Sequence, residues 1–343
     1  MLADRYGTGR VLALGGLGYA IGLYVMSLAS TPELFTLGVG VINGMSISAT
    51  AFAIVFGAVG RMVPADKRTL AMAIASAGGS IGQFVMLPLG RVLIDGLGWS
   101  YALAALGCIA LAIVPLSVLL KGRPALQAGE QVARPGLAFR AALRHKPYWL
   151  LFFGFFTCGF HVAFIGTHLP AYLEDHAISS RIAATALALI GLFNIFGSLT
   201  FGWLGGRYTK KRVLSALYFA RACVLFGFLV VPLSTASVMV FACGTGFLWL
   251  GTVPLTSGIV GQIFGVRYLS TLFGFVFLGH QLGSFLGVWL AGLVFDLIGT
   301  YTPIWWAAFG LALFAAAVQW PIDERSVQEP EADRALKPAT AGA

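Results

Sequence analysis

Ionisable side chains within apolar stretches are the first candidates for chemistry in this sequence. Four of them lie far from the ends of such stretches: His161, His168, Arg221 and His280. Histidine exchanges a proton near neutral pH and can donate a hydrogen bond to a carboxylate. A buried arginine stays charged and needs either an anion or several carbonyl oxygens. These residue types predict a site for a small organic anion or a proton, with a carbonyl-bound arginine as the alternative.

Uncharged polar residues in the same stretches extend this set. The main candidates are Asn43, Asn194 and Gln281, which either line a cavity or tie helices together. Interhelical hydrogen bonds in membranes contribute only about 0.6 kcal/mol each, so stability alone is a weak reason for them. Near Pro254 we expect a helix to break and expose its backbone to a ligand.

A catalytic centre is not predicted. Beside His161 and His168 the sequence places no third ligand, no carboxylate and no nucleophile–base pair, which an enzyme would need. We therefore predict no catalytic residue, no metal and no cofactor. A membrane-embedded enzyme that uses these histidines and a transporter-like sensor are the alternatives from other classes of protein.

The composition explains why these polar groups matter. Of 343 residues, 58% are hydrophobic and 10% are charged, whereas a soluble domain has about 25% charged residues. Mean hydropathy is +0.87, so most of the surface must face lipid. The net charge of +9 lies in short gaps between apolar runs. Nucleic-acid binding would need those charges in one patch, so it is not predicted.

Ten apolar runs are long enough to cross a bilayer, which takes about 20 residues each. We therefore predict an all-α membrane protein. The runs are 11–29, 34–59, 69–93, 100–120, 148–173, 182–204, 213–231, 237–262, 271–295 and 303–320. They divide into an N-terminal bundle at 1–120, a linker at 121–147, a C-terminal bundle at 148–320 and a disordered tail at 321–343.

The basic residues predict the orientation of the chain. Of the 22 Lys and Arg residues, all but Arg91, Arg181 and Arg221 lie in one alternating set of gaps or in the termini. Such a bias places that set in the cytoplasm. We therefore expect a multi-pass protein of the inner membrane with both termini cytoplasmic, monomeric and surrounded by lipid.

An internal repeat relates the two bundles. Residues 2–12, here the first loop copy, align with residues 204–214, the second loop copy. Six positions are identical, and the offset is 202 residues, measured from Leu12 to Leu214. A constant offset of this kind indicates a duplicated structural unit. It also predicts about 55 residues, enough for two further spans, ahead of Met1.

The first loop copy, Leu-Ala-Asp-Arg-Tyr-Gly-Thr-Gly-Arg, resembles the cytoplasmic loop motif of the major facilitator superfamily. That resemblance implies a twelve-helix fold in two bundles, with a substrate site between them. It also implies that the loops close the cytoplasmic gate through salt bridges and helix-end contacts. The residues expected to do so are Asp4, Arg5, Arg10, Arg207 and Arg212.

Within the superfamily, residues 161–173, 190–197 and 279–287 resemble bacterial monocarboxylate porters and oxalate/formate antiporters. The resemblance implies alternating-access transport of a small organic anion, by proton symport or by exchange, with Asn194 at the substrate. Those porters carry an arginine one turn later, where this chain has Ser198. A multidrug or metabolite exporter is the alternative, although the exporters' arginine motif is replaced by residues 40–44.

Overall fold

The computed structural model describes residues 2–120 and 135–326. Within these ranges ten helical segments are long and apolar enough to cross a membrane. This confirms the predicted all-α membrane architecture. The helices of the N-terminal bundle are α1 Leu2–Tyr6, α2 Thr8–Ser27, α3 Pro32–Thr36, a π-helix Leu37–Asn43, α4 Gly44–Thr50, α5 Phe52–Met62, α6 Arg68–Ala110, α7 Ile113–Leu116 and a 3₁₀ turn Ser117–Leu120.

The second half of the chain contains longer and more regular helices. They are α8 Pro135–Ala142, α9 Lys146–Asp175, α10 Ser180–Arg207, α11 Lys210–Val230, α12 Thr235–Phe247, α13 Thr252–Phe264, α14 Leu269–Ile298 and α15 Thr302–Gln319. Two clusters of buried apolar side chains lie in this bundle, around residues such as Phe155, Phe273 and Trp305, and the first continues into the N-terminal bundle at Phe56 and Met72. A third, smaller cluster around Leu23 and Met26 lies within the N-terminal bundle.

Two stretches predicted to lie between spans contain helical residues. The stretch 121–147, predicted as a linker, includes α8 at Pro135–Ala142 and the start of α9 at Lys146. Residues 121–134 lie outside the described part of the chain. The predicted gap between the runs 69–93 and 100–120 contains a break in helical geometry at Gly98 of α6, whose φ of 79° suits a residue without a side chain.

Close backbone contact holds the C-terminal bundle together. A Cβ atom on Gly159 of α9 would lie 1.8 Å from the carbonyl oxygen of His280 in α14, and one on Gly283 would lie 2.0 Å from that of Phe156. Small residues allow membrane helices to approach this closely. The α9–α14 pair therefore fixes the orientation of the histidines that these helices carry.

The two bundles meet mainly along two helix pairs, with a further contact between α13 and α6. Helix α10 packs against α6, and α5 packs against α14. The packing is tight at the end of the bundles that carries the basic loops, here called the basic end: a Cβ on Gly202 of α10 would lie 2.1 Å from Cβ of Ala73. Past Ser80, α6 exposes about half of Phe84 and Val85. The bundles are thus in contact at the basic end.

Candidate functional site

The membrane-crossing segment Thr235–Phe264 is interrupted in its middle. Helix α12 ends at Phe247 and α13 begins at Thr252, and residues Leu248–Gly251 form a turn, here called the helix break. Pro254 is the third residue of α13, where proline needs no hydrogen-bonded amide. The predicted interruption near Pro254 is therefore confirmed, and it lies on the N-terminal side of the proline.

Arg221 of α11 binds the carbonyl side of the helix break. Its Nη2 donates to the carbonyl oxygens of Leu248 and of Trp249, the latter at 2.7 Å. Arg221 is 1% exposed. No carboxylate within residues 2–120 and 135–326 forms an ion pair with it. The structure thus shows the carbonyl-bound arrangement, and a counter-ion role would require the guanidinium to release these carbonyls.

Asn194 of α10 binds the amide side of the helix break. The backbone N–H of Leu250 donates to Asn194 Oδ1 at 3.0 Å, and Ser198 Oγ donates to the same oxygen at 3.2 Å. Asn194 Nδ2 donates to Ser80 Oγ of α6 at 2.7 Å. Asn194 and Ser80 are both almost fully buried. A single side chain therefore joins the helix break to the N-terminal bundle.

Among the described residues, the hydrogen-bond partners of the two histidines of α9 lie in α14, in α15 and in the turn between those helices. His161 is fully buried, with Nε2 2.8 Å from the carbonyl oxygen of Ala308. His168 lies with Nε2 3.1 Å from the carbonyl oxygen of Val288 and Nδ1 3.3 Å from the hydroxyl of Tyr301. Both point into the C-terminal bundle rather than toward α6.

Tyr301 and the Val288 carbonyl hold the ring of His168 from two sides. Desolvation, together with the carboxylates of Asp175 and Asp296, raises the pKa of the Tyr301 phenol, so this hydroxyl keeps its proton. The hydroxyl can donate to Nδ1 of His168, and Nε2 lies beside the Val288 carbonyl. These two contacts fix the orientation of the ring.

His280 of α14 lies in an aromatic pocket. Its ring is 5.1 Å from those of Phe155 and Phe277, and it is almost parallel to the latter. Nδ1 is 3.3 Å from Gln281 Oε1 and 3.4 Å from Ser284 Oγ. His280 is only 8% exposed, whereas Gln281 is exposed. Of the predicted pair, Gln281 is the one with an exposed side chain in this conformation.

Asn43 is separate from these residues. Its Nδ2 contacts Met26 Sδ at 3.4 Å, and a Cβ on Gly22 would lie 2.1 Å from its Oδ1. Asn43 therefore ties α2 to the π-helix within the N-terminal bundle. The structure does not bring it together with Asn194 or Arg221.

The first loop copy closes the basic end across the two bundles. Asp4 is 7% exposed, and its Oδ2 accepts hydrogen bonds from Thr271 N at 2.9 Å and from Thr271 Oγ1 at 2.6 Å. These groups lie in the first turn of α14, where the helix dipole favours a negative charge. Arg61 lies 3.6 Å from Asp4 and donates to Thr8 Oγ1 at 2.7 Å.

The arginines predicted to assist this gate are exposed. Arg5 lies over the ring of Tyr6 at 5.2 Å, and Arg207 lies over that of Trp203 at 5.6 Å. For the side chains of Arg10 and Arg212, the described structure contains no contact across the bundles. The inter-bundle contact at this loop is thus made by Asp4, while a gating role for the four arginines stays a prediction.

The second loop copy makes contacts that the sequence did not indicate. Lys211 N donates to the carboxylate of Glu324, and Lys211 Nζ donates to the carbonyl of Ile322 at 2.6 Å. Lys210 Nζ donates to Gln262 Oε1 at 2.8 Å. The prediction of disorder over 321–343 is therefore wrong for residues 321–326, because Ile322 is completely buried. Residues 327–343 lie outside the described part of the chain.

Sequence reasoning missed Ser80, the partner of Asn194. Serine is common in membrane helices, where it bonds to its own backbone, so its type alone carries little signal. The available signal was positional, since Ser80 lies within a small-residue segment of a predicted span. Thr252, which the sequence places beside the expected break near Pro254, lies with its Oγ1 3.1 Å from Cys158 Sγ.

Ten membrane-length helices in two bundles that meet along a buried polar contact define an integral membrane transporter rather than an enzyme. A sequence model of the Major Facilitator Superfamily matches residues 1–253. The chain belongs to this superfamily.

Several characterised and uncharacterised transporters resemble the chain in sequence. An uncharacterized MFS-type transporter of Bacillus subtilis, YcxA, is 27% identical over 311 residues, which cover 87% of this chain and 74% of YcxA. Monocarboxylate transporter 12 of Xenopus laevis is 28% identical and aligns over 89% of this chain and 71% of its own length. Monocarboxylate transporter 13 of Rattus norvegicus is 25% identical and aligns over 88% of this chain and 70% of its own length.

Solved structures support the fold. A double-tryptophan mutant of XylE superposes with a TM-score of 0.76 at 12% identity, covering 94% of this chain and 81% of XylE. The Escherichia coli fucose:proton symporter FucP superposes with a TM-score of 0.70 at 18% identity, covering 93% of this chain and 85% of FucP. At these identities the likeness concerns the fold alone.

Proposed function

We propose that this protein carries a small organic anion across the membrane by alternating access, with monocarboxylates as the class of substrate. The observation that carries this proposal is the charge of the interior. Near the middle of the described spans, the ionisable groups are Arg221 and three histidines, without an Asp or Glu among them. An interior of this kind favours a negative cargo. The named relatives that transport monocarboxylates support the same class.

The proposed substrate path runs along the contact between α6 and α10. Asn194 lies there, and Gln281 and His280 of α14 lie on the neighbouring helix that contacts α5. His161, His168 and Arg221 support this path from within the C-terminal bundle, and Asn43 does so from the N-terminal bundle. Proton symport or exchange is the proposed form of coupling, with the histidines as proton carriers.

The proposed orientation places the basic end in the cytoplasm. Anionic lipid headgroups and the bias of basic residues support that assignment. Both termini then face the cytoplasm of a cell whose inner membrane contains the protein as a monomer. The contact of Asp4 with α14 makes this conformation one that is closed on the cytoplasmic side.

A substrate panel on purified protein in proteoliposomes tests the proposal. Radiolabelled lactate, pyruvate, formate and oxalate are offered with and without a pH gradient, with sugars as the control class. We expect saturable uptake of at least one monocarboxylate, and faster uptake when a proton gradient points in the same direction. If no carboxylate is transported or competes with another, the proposed substrate class is wrong. Arg221→Gln then distinguishes a counter-ion role of Arg221 from a role in binding carbonyls alone. A counter-ion role predicts a raised KM for the anion.

A further inference from the structure

The helix break has unusual requirements because it lies inside the membrane. A helix that ends there leaves carbonyl groups without partners, and the next helix begins with free amides. Lipid supplies no hydrogen bonds, so protein groups must satisfy both. In this structure two side chains do so: Arg221 takes the carbonyls of Leu248 and Trp249, and Asn194 takes the amide of Leu250.

The two side chains belong to different parts of the molecule. Arg221 is on α11, which packs against α12, α13 and α15 within the C-terminal bundle. Its positive charge at the end of α12 also suits the helix dipole. Asn194 is on α10, at the contact with α6, and its amide nitrogen binds Ser80. One contact therefore anchors the helix break to its own bundle, and the other connects it to the opposite bundle.

The hydrogen-bond inventory of Asn194 leaves little freedom. Its oxygen accepts from Leu250 N and Ser198 Oγ, and its nitrogen donates to Ser80 Oγ. Ser80 also lies 3.5 Å from the carbonyl oxygen of Ser76, to which its hydroxyl can donate. Movement of α6 away from α10 would remove the acceptor of the Asn194 amide and change the orientation of that side chain. The carboxamide would then no longer be held for Leu250.

We propose that the helix break is a relay between the bundles, in which Asn194 transmits the position of α6 and Arg221 holds the opposite side fixed. Arg221 and Asn194 are positioning residues in this scheme, since they act through the backbone of residues 248–251. The relay deepens the proposed transport function by giving the inter-bundle motion a direct effect on a membrane-embedded backbone segment. It does not depend on which anion is carried.

The reactivity of the Cys158 thiol measures movement of the helix break, and the measurement needs no substrate. It is fully buried, and its Sγ is 3.1 Å from Oγ1 of Thr252, the first residue of α13. Movement of the helix break displaces Thr252 and exposes the thiol. The rate of reaction with N-ethylmaleimide then follows the population of the open form.

The experiment uses full-length protein in which Cys108, Cys223 and Cys243 are replaced by serine, so that Cys158 is the single thiol. Loss of a charged or buried hydrogen bond should raise the labelling rate of Arg221→Gln and Asn194→Ala by at least about tenfold. Ser80→Ala, which removes the inter-bundle hydrogen bond together with the weaker contact to the Ser76 carbonyl, should raise it by about threefold.

Two control variants make comparable losses of charge or polarity elsewhere in α10, away from the helix break. Arg181→Gln removes an exposed arginine of α10, and Thr200→Ala removes a hydroxyl that bonds only to its own helix among the described residues. Both should label at the rate of the unchanged single-cysteine protein. Arg221→Lys keeps a cation at the carbonyls, so its Cys158 should be labelled more slowly than that of Arg221→Gln. If Arg221→Gln does not fold, Arg221→Lys is compared with the unchanged single-cysteine protein instead.

Three results would overturn the relay. The first is a folded Asn194→Ala protein that labels at the unchanged rate. The second is a Ser80→Ala protein that does so, because the inter-bundle arm would then be absent. The third is an equal rise of the Cys158 labelling rate in the two control variants, which would indicate a general loss of packing in the protein. Since labelling needs no substrate, failure of monocarboxylate transport and failure of the relay are separate outcomes.

Discussion

The two loop copies occupy equivalent places but contain different chemistry. In the first copy, Asp4 accepts two hydrogen bonds at the start of α14 in the opposite bundle. In the second copy, Gly206 stands at the position of Asp4. A Cβ on Gly205 would lie 2.9 Å from Thr69 Cγ2 at the start of α6, also in the opposite bundle. Both copies therefore pack against the first turn of a helix, and only one brings a carboxylate to it.

The basic residues of the second copy turn toward their own bundle instead. Lys210 binds Gln262 of α13, and Lys211 binds Ile322 and Glu324 beyond α15. The first copy thus places a hydrogen-bonded carboxylate across the bundles, whereas the lysines of the second copy bind within their own bundle. The two copies thus share the residues that shape the loop, and only the first has the acid that crosses the interface. We expect opening of the basic end to depend mainly on the first copy.

The largest effect is expected from a covalent lock beside the first copy. A Cβ on Gly274 of α14 would lie 3.9 Å from Cβ of Ala53 in α5, within the usual disulfide range of about 3.5–4.5 Å. In a background without other cysteines, Ala53→Cys/Gly274→Cys should form a disulfide on oxidation and lose transport, because the basic end cannot open. Reduction should restore uptake, measured with whichever anion the panel identifies.

A disulfide within one bundle is the control for that lock. A Cβ on Gly107 would lie 3.6 Å from Cβ of Leu23, so Leu23→Cys/Gly107→Cys joins α2 to α6 without joining the bundles. It should form a disulfide and leave uptake possible. Equal inhibition by both disulfides would show that cross-linking as such, rather than closure of the basic end, stops transport.

The second prediction weakens the same contact without a cross-link. Asp4→Asn keeps the shape of the side chain but removes its charge, and hydrogen bonds to charged groups are worth about 1.5–3 kcal/mol. The closed state should therefore become less populated, and the rate of disulfide formation between positions 53 and 274 should fall about tenfold. Asp95→Asn, which alters an exposed ion pair with Arg91, should leave that rate unchanged. An unaltered rate in Asp4→Asn would mean that packing alone closes the basic end.

The sequence was informative about Asp4 and uninformative about Glu324 for a physical reason. Membrane spans and loop motifs are local patterns, so ten helices, the fold and the helix-end contact of the first copy were predictable. The partner of a buried polar group depends on which helix packs beside it. Hence the choice between an anion and carbonyls for Arg221 needed the structure. The segment after α15 reads as a polar tail, because Ile322 is the one buried residue within 321–326.

The third prediction concerns the packing of the second copy. A Cβ on Gly205 would lie 2.5 Å from Leu255 Cδ2 as well as near Thr69, whereas one on Gly206 would meet only the Asp66 carbonyl oxygen at 3.4 Å. Gly205→Ala should therefore lower the free energy of unfolding by about 1–3 kcal/mol through overpacking. Gly206→Ala should change it by less than about 0.5 kcal/mol. Thermal unfolding in detergent measures both, and equal stability of the two variants would contradict the close approach at Gly205.

The smallest effect is expected where the second copy ties its own bundle. Glu324→Gln removes the charge beside the first turn of α11, which should cost about 0.5–1 kcal/mol of unfolding free energy. Asp323→Asn, next to it and largely exposed, should cost less. Because Glu324 binds only residues of the C-terminal bundle among those described, disulfide formation between positions 53 and 274 should proceed at the unchanged rate. A slower rate in Glu324→Gln would mean that the second copy also controls the contact between bundles, and the division of roles between the two copies would be wrong.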